Sequence, residues 1–189
     1  QENIKKQSDE YVKIANEDIA GIREIKSLGI KENIKNRVKT RLTSLFAFSK
    51  KIRVPFSPET PLSGIQSSVT SKDVLHYRRH FDVDDLDETH RYFLHLDAVD
   101  QVADIYVNGE FCSHHEGGYD SIEVECHHLH KTGNELYVRV KDDTDSPIFP
   151  RGKQLNRRGG IWYTPTSGIW QTVWLERTPK DRIFSLRIT

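Results

Sequence analysis

The 189-residue chain has room for one domain, or for one domain with an appendage. At 35% hydrophobic and 30% charged residues it is polar for a globular protein, which implies that part of it has little core. Its 28 basic and 28 acidic residues cancel, and no apolar run approaches the ~18 residues of a membrane span. The opening Gln1-Glu2-Asn3-Ile4-Lys5-Lys6 lacks the apolar stretch of a signal peptide, so the cytoplasm is the default location. A start at Gln reads as an internal fragment or a processed product. The charge is unevenly spread: residues 1–50 hold eleven basic and seven acidic side chains, leaving seventeen and twenty-one beyond. That change of sign near residue 50 divides the chain into a segment 1–50 and a segment 51–189. Cys112 and Cys126, with no secretory signal, read as buried free thiols rather than a disulfide.

From Ser8 to Lys50 the spacing predicts an amphipathic helix. Tyr11, Ala15, Ile19, Ile22 and Ile25 recur every three or four residues, and Ile34, Val38, Leu42 and Leu45 continue after Gly29. Ser8 suits the N-cap, with Asp9 and Glu10 in the first turn. The narrow stripe needs a partner surface, either the rest of the chain or a second copy. Lys31, Lys35, Arg37, Lys39 and Arg41 form a basic cluster without interleaved aromatics, a solvated helix face rather than a nucleic-acid site. Residues Asn16 to Gly29 resemble a cytoplasmic helical stretch of ABC exporters. The remaining spans and any Gly-x-x-x-x-Gly-Lys-Ser/Thr loop are absent from the sequence, so ATP binding has no basis. The alternative reading of the whole chain is a transporter-derived helical segment fused to a passenger β-domain.

Beyond residue 50 the period changes to two. Val54 to Leu62 is interrupted by prolines and reads as an extended edge segment. Leu75, Tyr77, Arg79, Phe81 and Val83 alternate with His76, Arg78 and His80. Tyr92, Leu94, Leu96 and Ala98 alternate with Arg91, Phe93, His95 and Asp97. Ile105 to Val107, then Asn108-Gly109 and Phe111, is the strongest hairpin signal in the chain. Ile122, Val124 and Cys126 predict another strand, as do Leu136, Val138 and Val140 after the Gly133-Asn134 turn. Short strands at regular spacing with turns between them imply an antiparallel sandwich.

The stretch 159–176 holds all three tryptophans. Ile169, Val173 and Leu175 point one way and Trp170, Thr172 and Trp174 the other; Trp170 and Trp174 are candidates for the core. Trp162 and Tyr163 precede the turn Thr164-Pro165-Thr166-Ser167-Gly168, on a loop entering that strand. Flat aromatic faces beside small polar residues suit a sugar-facing surface.

This stretch resembles the end of the N-terminal sugar-binding domain of glycoside hydrolase family 2. So, in order, do Val54-Pro55-Phe56-Ser57-Pro58-Glu59, Leu62-Ser63-Gly64-Ile65, Tyr77-Arg78-Arg79, Tyr106-Val107-Asn108-Gly109, Gly117-Gly118-Tyr119, Gly133-Asn134-Glu135-Leu136 and Arg151-Gly152-Lys153-Gln154. The resemblance covers residues 51 to about 179 and implies a jelly-roll, galactose-binding-like sandwich. It implies a carbohydrate substrate, bound together with a catalytic barrel that carries both catalytic glutamates and is absent from this sequence. No catalytic residue and no cofactor is therefore expected here. The substrate-binding candidates are Trp162, Tyr163, Arg151, Lys153 and Gln154. Two departures stand out. The strands the family places before the Val-Pro-Phe segment are missing, the helical segment taking their place. The Asp that galactosidases and glucuronidases of the family carry six residues before the turn glycine is replaced by Trp162. Glu123, Glu125, Asp142, Asp143 and Asp145 read as solvated surface, and His114-His115 and His127-His128-x-His130 lack the spacing of a metal site.

Overall fold

The computed structural model describes residues 50–183 and 185–188. The predicted helix over 8–50 lies outside the described residues, apart from Lys50. Among the described residues nine strands follow one another: β1 (Val74–Phe81), β2 (His90–Leu96), β3 (Val99–Asp100), β4 (Val102–Val107), β5 (Glu110–Glu116), β6 (Ile122–Glu125), β7 (Asn134–Lys141), β8 (Gly168–Ile169) and β9 (Val173–Pro179). They pair antiparallel into a four-stranded sheet β1-β7-β4-β5, a three-stranded sheet β6-β2-β9 and a short ribbon β3-β8. Both larger sheets turn their apolar faces to one core, so the described residues form the antiparallel β-sandwich that their alternation predicts.

The interior follows the period of two. Leu94 and Leu96 of β2, Ala103 and Ile105 of β4, Ile122 and Val124 of β6, and Leu136, Val138 and Val140 of β7 are all buried. Each large aliphatic side chain removed from water contributes about 1.5–3 kcal/mol. The β4–β5 hairpin turns at Asn108 (φ 52) and Gly109 (φ 80), the two left-handed residues of a type I′ turn. The Asn108 side chain ties this turn to the neighbouring strand β7 by accepting from Glu135 N at 2.8 Å. Cys112 and Cys126 are unpaired, and burial pushes the Cys126 thiol up to about 11.

One expectation is corrected. Residues 54–62 do not run extended along an edge. They form successive turns and a 3-10 turn at Pro61–Ser63, tied by Arg53 N to Ser63 O (2.9 Å) and Ser67 N to Pro58 O (2.9 Å). Pro55, Pro58 and Pro61 fix φ where a strand would need to extend, and the Ser63 hydroxyl bonds back to Thr60 O at 2.8 Å. Phe93 lies on the outward side of β2 yet is 3% exposed, because the guanidinium groups of Arg91 and Arg182 cover its ring at 5.0 and 3.7 Å.

Candidate functional site

Between β7 and β8 the chain makes its longest excursion among the described residues, over 142–167. This loop doubles back on itself. Tyr163 N donates to Lys153 O at 2.8 Å and Leu155 N to Tyr163 O at 3.2 Å, so Gln154 and Tyr163 form a small parallel bridge. Gly159 and Trp162 close the return through Trp162 N to Gly159 O at 3.1 Å. The Arg151 guanidinium then lies 5.4 Å from the Trp162 ring centroid, a cation–π contact. Of the five residues singled out from sequence, Arg151 and Trp162 meet through their side chains, while Lys153, Gln154 and Tyr163 are brought together by the backbone bridge. Trp162 is 36% and Tyr163 65% exposed.

The five do not have the same part. Gln154 spends both ends of its amide inside the protein: Oε1 accepts from Thr166 N, and Nε2 donates to the Tyr119 hydroxyl at 3.4 Å. It positions the loop. Arg151 donates to Asp145 O at 3.3 Å, while the Asp145 carboxylate accepts from Asn156 N and Nδ2 at 3.0 and 3.1 Å. Those Asn156 donors hold Asp145 below the usual carboxylate range. Trp162, Tyr163 and the exposed Lys153 are left facing outward.

The other tryptophans part company. Trp170 is half-buried; its Nε1 donates to Gly118 O at 2.9 Å and its ring meets Tyr119 edge-on at 5.9 Å, pinning the 117–119 loop beside the rim. Trp174 is not in the core. It is 43% exposed on the outer face of β9, because Val173 and Leu175 take the inward positions.

Close to the Gly118 backbone lies a cluster of buried carboxyls that sequence reading missed. Asp100 is 6% and Asp142 3% exposed, so Asp142 is not the solvated residue expected from its acidic neighbourhood. Glu59 joins them, accepting from Ser167 N at 3.2 Å. Burial, and then the charges of Asp142 and Glu59, push the Asp100 carboxyl up to about 7. Burial raises Asp142 to about 6, opposed by the Thr144 hydroxyl, which donates to its carboxylate at 3.3 Å. The backbone approaches this cluster closely. A Cβ added at Gly118 would stand 2.5 Å from Asp100 Oδ1, and one at Gly168 (φ 73) would overlap the Tyr77 hydroxyl. The signal available in sequence was an acid flanked by strand residues, Val99-Asp100 and Val140-Lys141-Asp142, but alternation alone does not say which loop will close over it. These carboxyls are too enclosed to flank a glycosidic bond.

The histidine runs singled out from sequence do not gather ligand atoms. His114 instead contacts Asp104 at 2.7 Å and Glu116 at 3.4 Å, which raises its pKa. No helix among the described residues is long and apolar enough to cross a membrane.

An antiparallel sandwich with a loop rim at one end places the chain in the galactose-binding-like class of β-domains. A model of the glycosyl hydrolase 2 galactose-binding domain-like family matches residues 24–157, and the chain belongs to that family. The match begins inside the stretch whose spacing predicts a helix, and it ends between Gln154 and Trp162. A β-galactosidase of Thermoanaerobacter pseudethanolicus is 34% identical over 103 residues, which is 53% of this chain and 13% of that protein. A β-glucuronidase of Bacteroides fragilis is 34% identical over 74 residues, 38% of this chain and 11% of that protein. The fold is shared with the Bifidobacterium dentium β-glucuronidase complexed with coumarin-3-O-glucuronide (TM-score 0.50, 24% identity, 69% of this chain and 25% of that one). It is also shared with the β-D-glucuronidase of Dictyoglomus thermophilum (TM-score 0.50, 21% identity, 68% and 25%). The chain thus spans a quarter or less of each of these relatives.

Proposed function

We propose that the sandwich is the non-catalytic sugar-binding domain of a family 2 glycosidase, and that its 151–163 rim lines the carbohydrate site beside a catalytic barrel. The observation that supports this reading is the Arg151–Trp162 contact on a loop whose exposed Lys153 and Tyr163 are joined by a backbone hydrogen bond, with Gln154 and Trp170 holding the loops behind it. Trp162 offers an aromatic face for a sugar ring, its far side held by Arg151; Lys153 and the Tyr163 hydroxyl offer donors for the sugar's edge. A one-sided surface buries little of a sugar, so the chain by itself binds weakly, with Kd on the order of mM. Saturation-transfer NMR with β-galactosides and β-glucuronides tests the assignment. Signal from a saccharide that disappears in Trp162→Ala, with an unchanged melting temperature, is the expected result. Signal that survives Trp162→Ala and Tyr163→Ala together, or a variant that melts like a core truncation, overturns it.

A further inference from the structure

A second cluster of chemically capable side chains lies on the outer face of the β6-β2-β9 sheet, on strands rather than rim loops. His95 occupies the central strand β2, where its register partners are Glu123 on β6 and Trp174 on β9. The Trp174 ring stacks on the imidazole with centroids 4.0 Å apart and planes 9° from parallel. Trp174 is itself anchored, Nε1 donating to Asp97 Oδ1 at 3.1 Å. The imidazole, with its side chain 13% exposed, is therefore held in one orientation by packing. Its Nε2 stands 3.0 Å from Glu176 Oε2 and its Nδ1 3.9 Å from Glu123 Oε2. One ligand atom of each residue lies within 4.8 Å of the other two, the only such His/Cys/Asp/Glu group among the described residues.

We propose that His95, Glu123 and Glu176 form a binding site for a divalent transition-metal ion of the zinc or cobalt class. One imidazole and two carboxylates match the ligand preferences of those ions, and three protein ligands leave further positions for water. The carboxylates approach different ring nitrogens, so the ion takes one nitrogen and the other carboxylate must turn. Glu123, with 40% of its side chain exposed, has the freedom to do so. A cation already bridges this pair: Arg182 donates to Glu123 Oε1 at 2.9 Å and to Glu176 Oε2 at 3.4 Å. An incoming dication has to displace that guanidinium from the carboxylates. Arg182 keeps its seat over Phe93 when it does, at a ring distance of 3.7 Å. The protein's own arginine therefore competes with the metal and sets the concentration at which the ion binds.

The test is calorimetric titration of the whole chain with ZnCl2, paralleled by the visible spectrum of added Co2+. One saturable ion per chain is expected. Glu123→Gln and Glu176→Gln, which keep shape, each weaken it by more than about tenfold, since even outer-shell changes act on that scale. His95→Gln removes the nitrogen ligand, and a thermal melt separates that loss from misfolding. Arg182→Gln tightens binding several-fold because the competitor is gone. His127→Ala, at an exposed ring, leaves it unchanged. No saturable binding overturns the proposal. So does binding that persists in the Glu123→Gln, Glu176→Gln double variant, binding lost in His127→Ala, or binding that weakens in Arg182→Gln.

Discussion

The sandwich interior and the buried carboxyl cluster of Asp100, Asp142 and Glu59 are made of opposite materials. In the interior, Leu96, Ile105, Val138 and Val140 are fully or nearly fully enclosed, with no polar atom beyond the backbone to satisfy. In the cluster, Asp100, Asp142 and Ser167 are 6%, 3% and 0% exposed, and the Asp100 Oδ1 and Ser167 Oγ atoms lack a hydrogen-bond partner. The first region stabilises the fold through area removed from water; the second costs desolvation and holds carboxyls away from their usual ionisation. The 142–167 loop that carries the rim starts and ends in the second, at Asp142 and Ser167. The comparison teaches that the candidate site is supported by the part of the domain with the smaller margin, as expected where loops must be shaped rather than merely buried.

The comparison is sharpened first at its stable end. Leu96→Ala should lower stability by about 2–5 kcal/mol, read from urea or thermal unfolding. A loss under about 1 kcal/mol would show that the interior can collapse around the gap, erasing the contrast.

The next effect belongs to the carboxyl cluster and depends on pH. Asp100 and Asp142 have folded values of about 7 and about 6, both raised from 3.8. The folded state therefore binds protons more tightly than the unfolded chain. Their contribution is fully present below about pH 4 and is lost as pH rises through about 6 to 7, so stability from these two groups falls across that window. Asp100→Asn keeps the shape without the charge. It should flatten the profile between pH 5 and 8 and gain on the order of 1–3 kcal/mol at pH 8. A profile as steep as that of the wild type would place the linkage elsewhere.

Trp174→Ala comes third. Its ring is 43% exposed and packs on His95 from outside, so the cost should be about 1 kcal/mol, well short of a core aromatic's 3–5. Melting as early as Leu96→Ala would make the outer face a second core. The smallest effect on stability is expected at Trp162→Ala, within about 0.5 kcal/mol, while saccharide binding is lost. That pairing of an unchanged melt with a lost ligand is what separates the rim from both regions.

Much of this architecture was legible before any coordinates. Side-chain alternation in β2, β4, β6 and β7 states which residues face inward, because a pleated strand has a strict period of two. Asn108-Gly109 specifies its hairpin because both positions require positive φ. Trp162 and Tyr163 were singled out because aromatics beside turn chemistry suit a sugar-facing loop, and Arg151, Lys153 and Gln154 through the family resemblance. Which side of a residue another element covers depends on the folded chain. Phe93 alternates outward, yet Arg182, 89 positions later, lies over it. Asp142 ends a strand among exposed acids, yet the returning loop closes it in with Ser167. Trp174 belongs to a hydrophobic run, yet the register of β9 on β2 turns it outward onto His95. His95, Glu123 and Glu176 are scattered along the chain and meet only because β6, β2 and β9 lie side by side. Local periodicity is a property of the backbone and is written residue by residue; neighbours across strands depend on pairing and loop closure, which no short window of sequence contains.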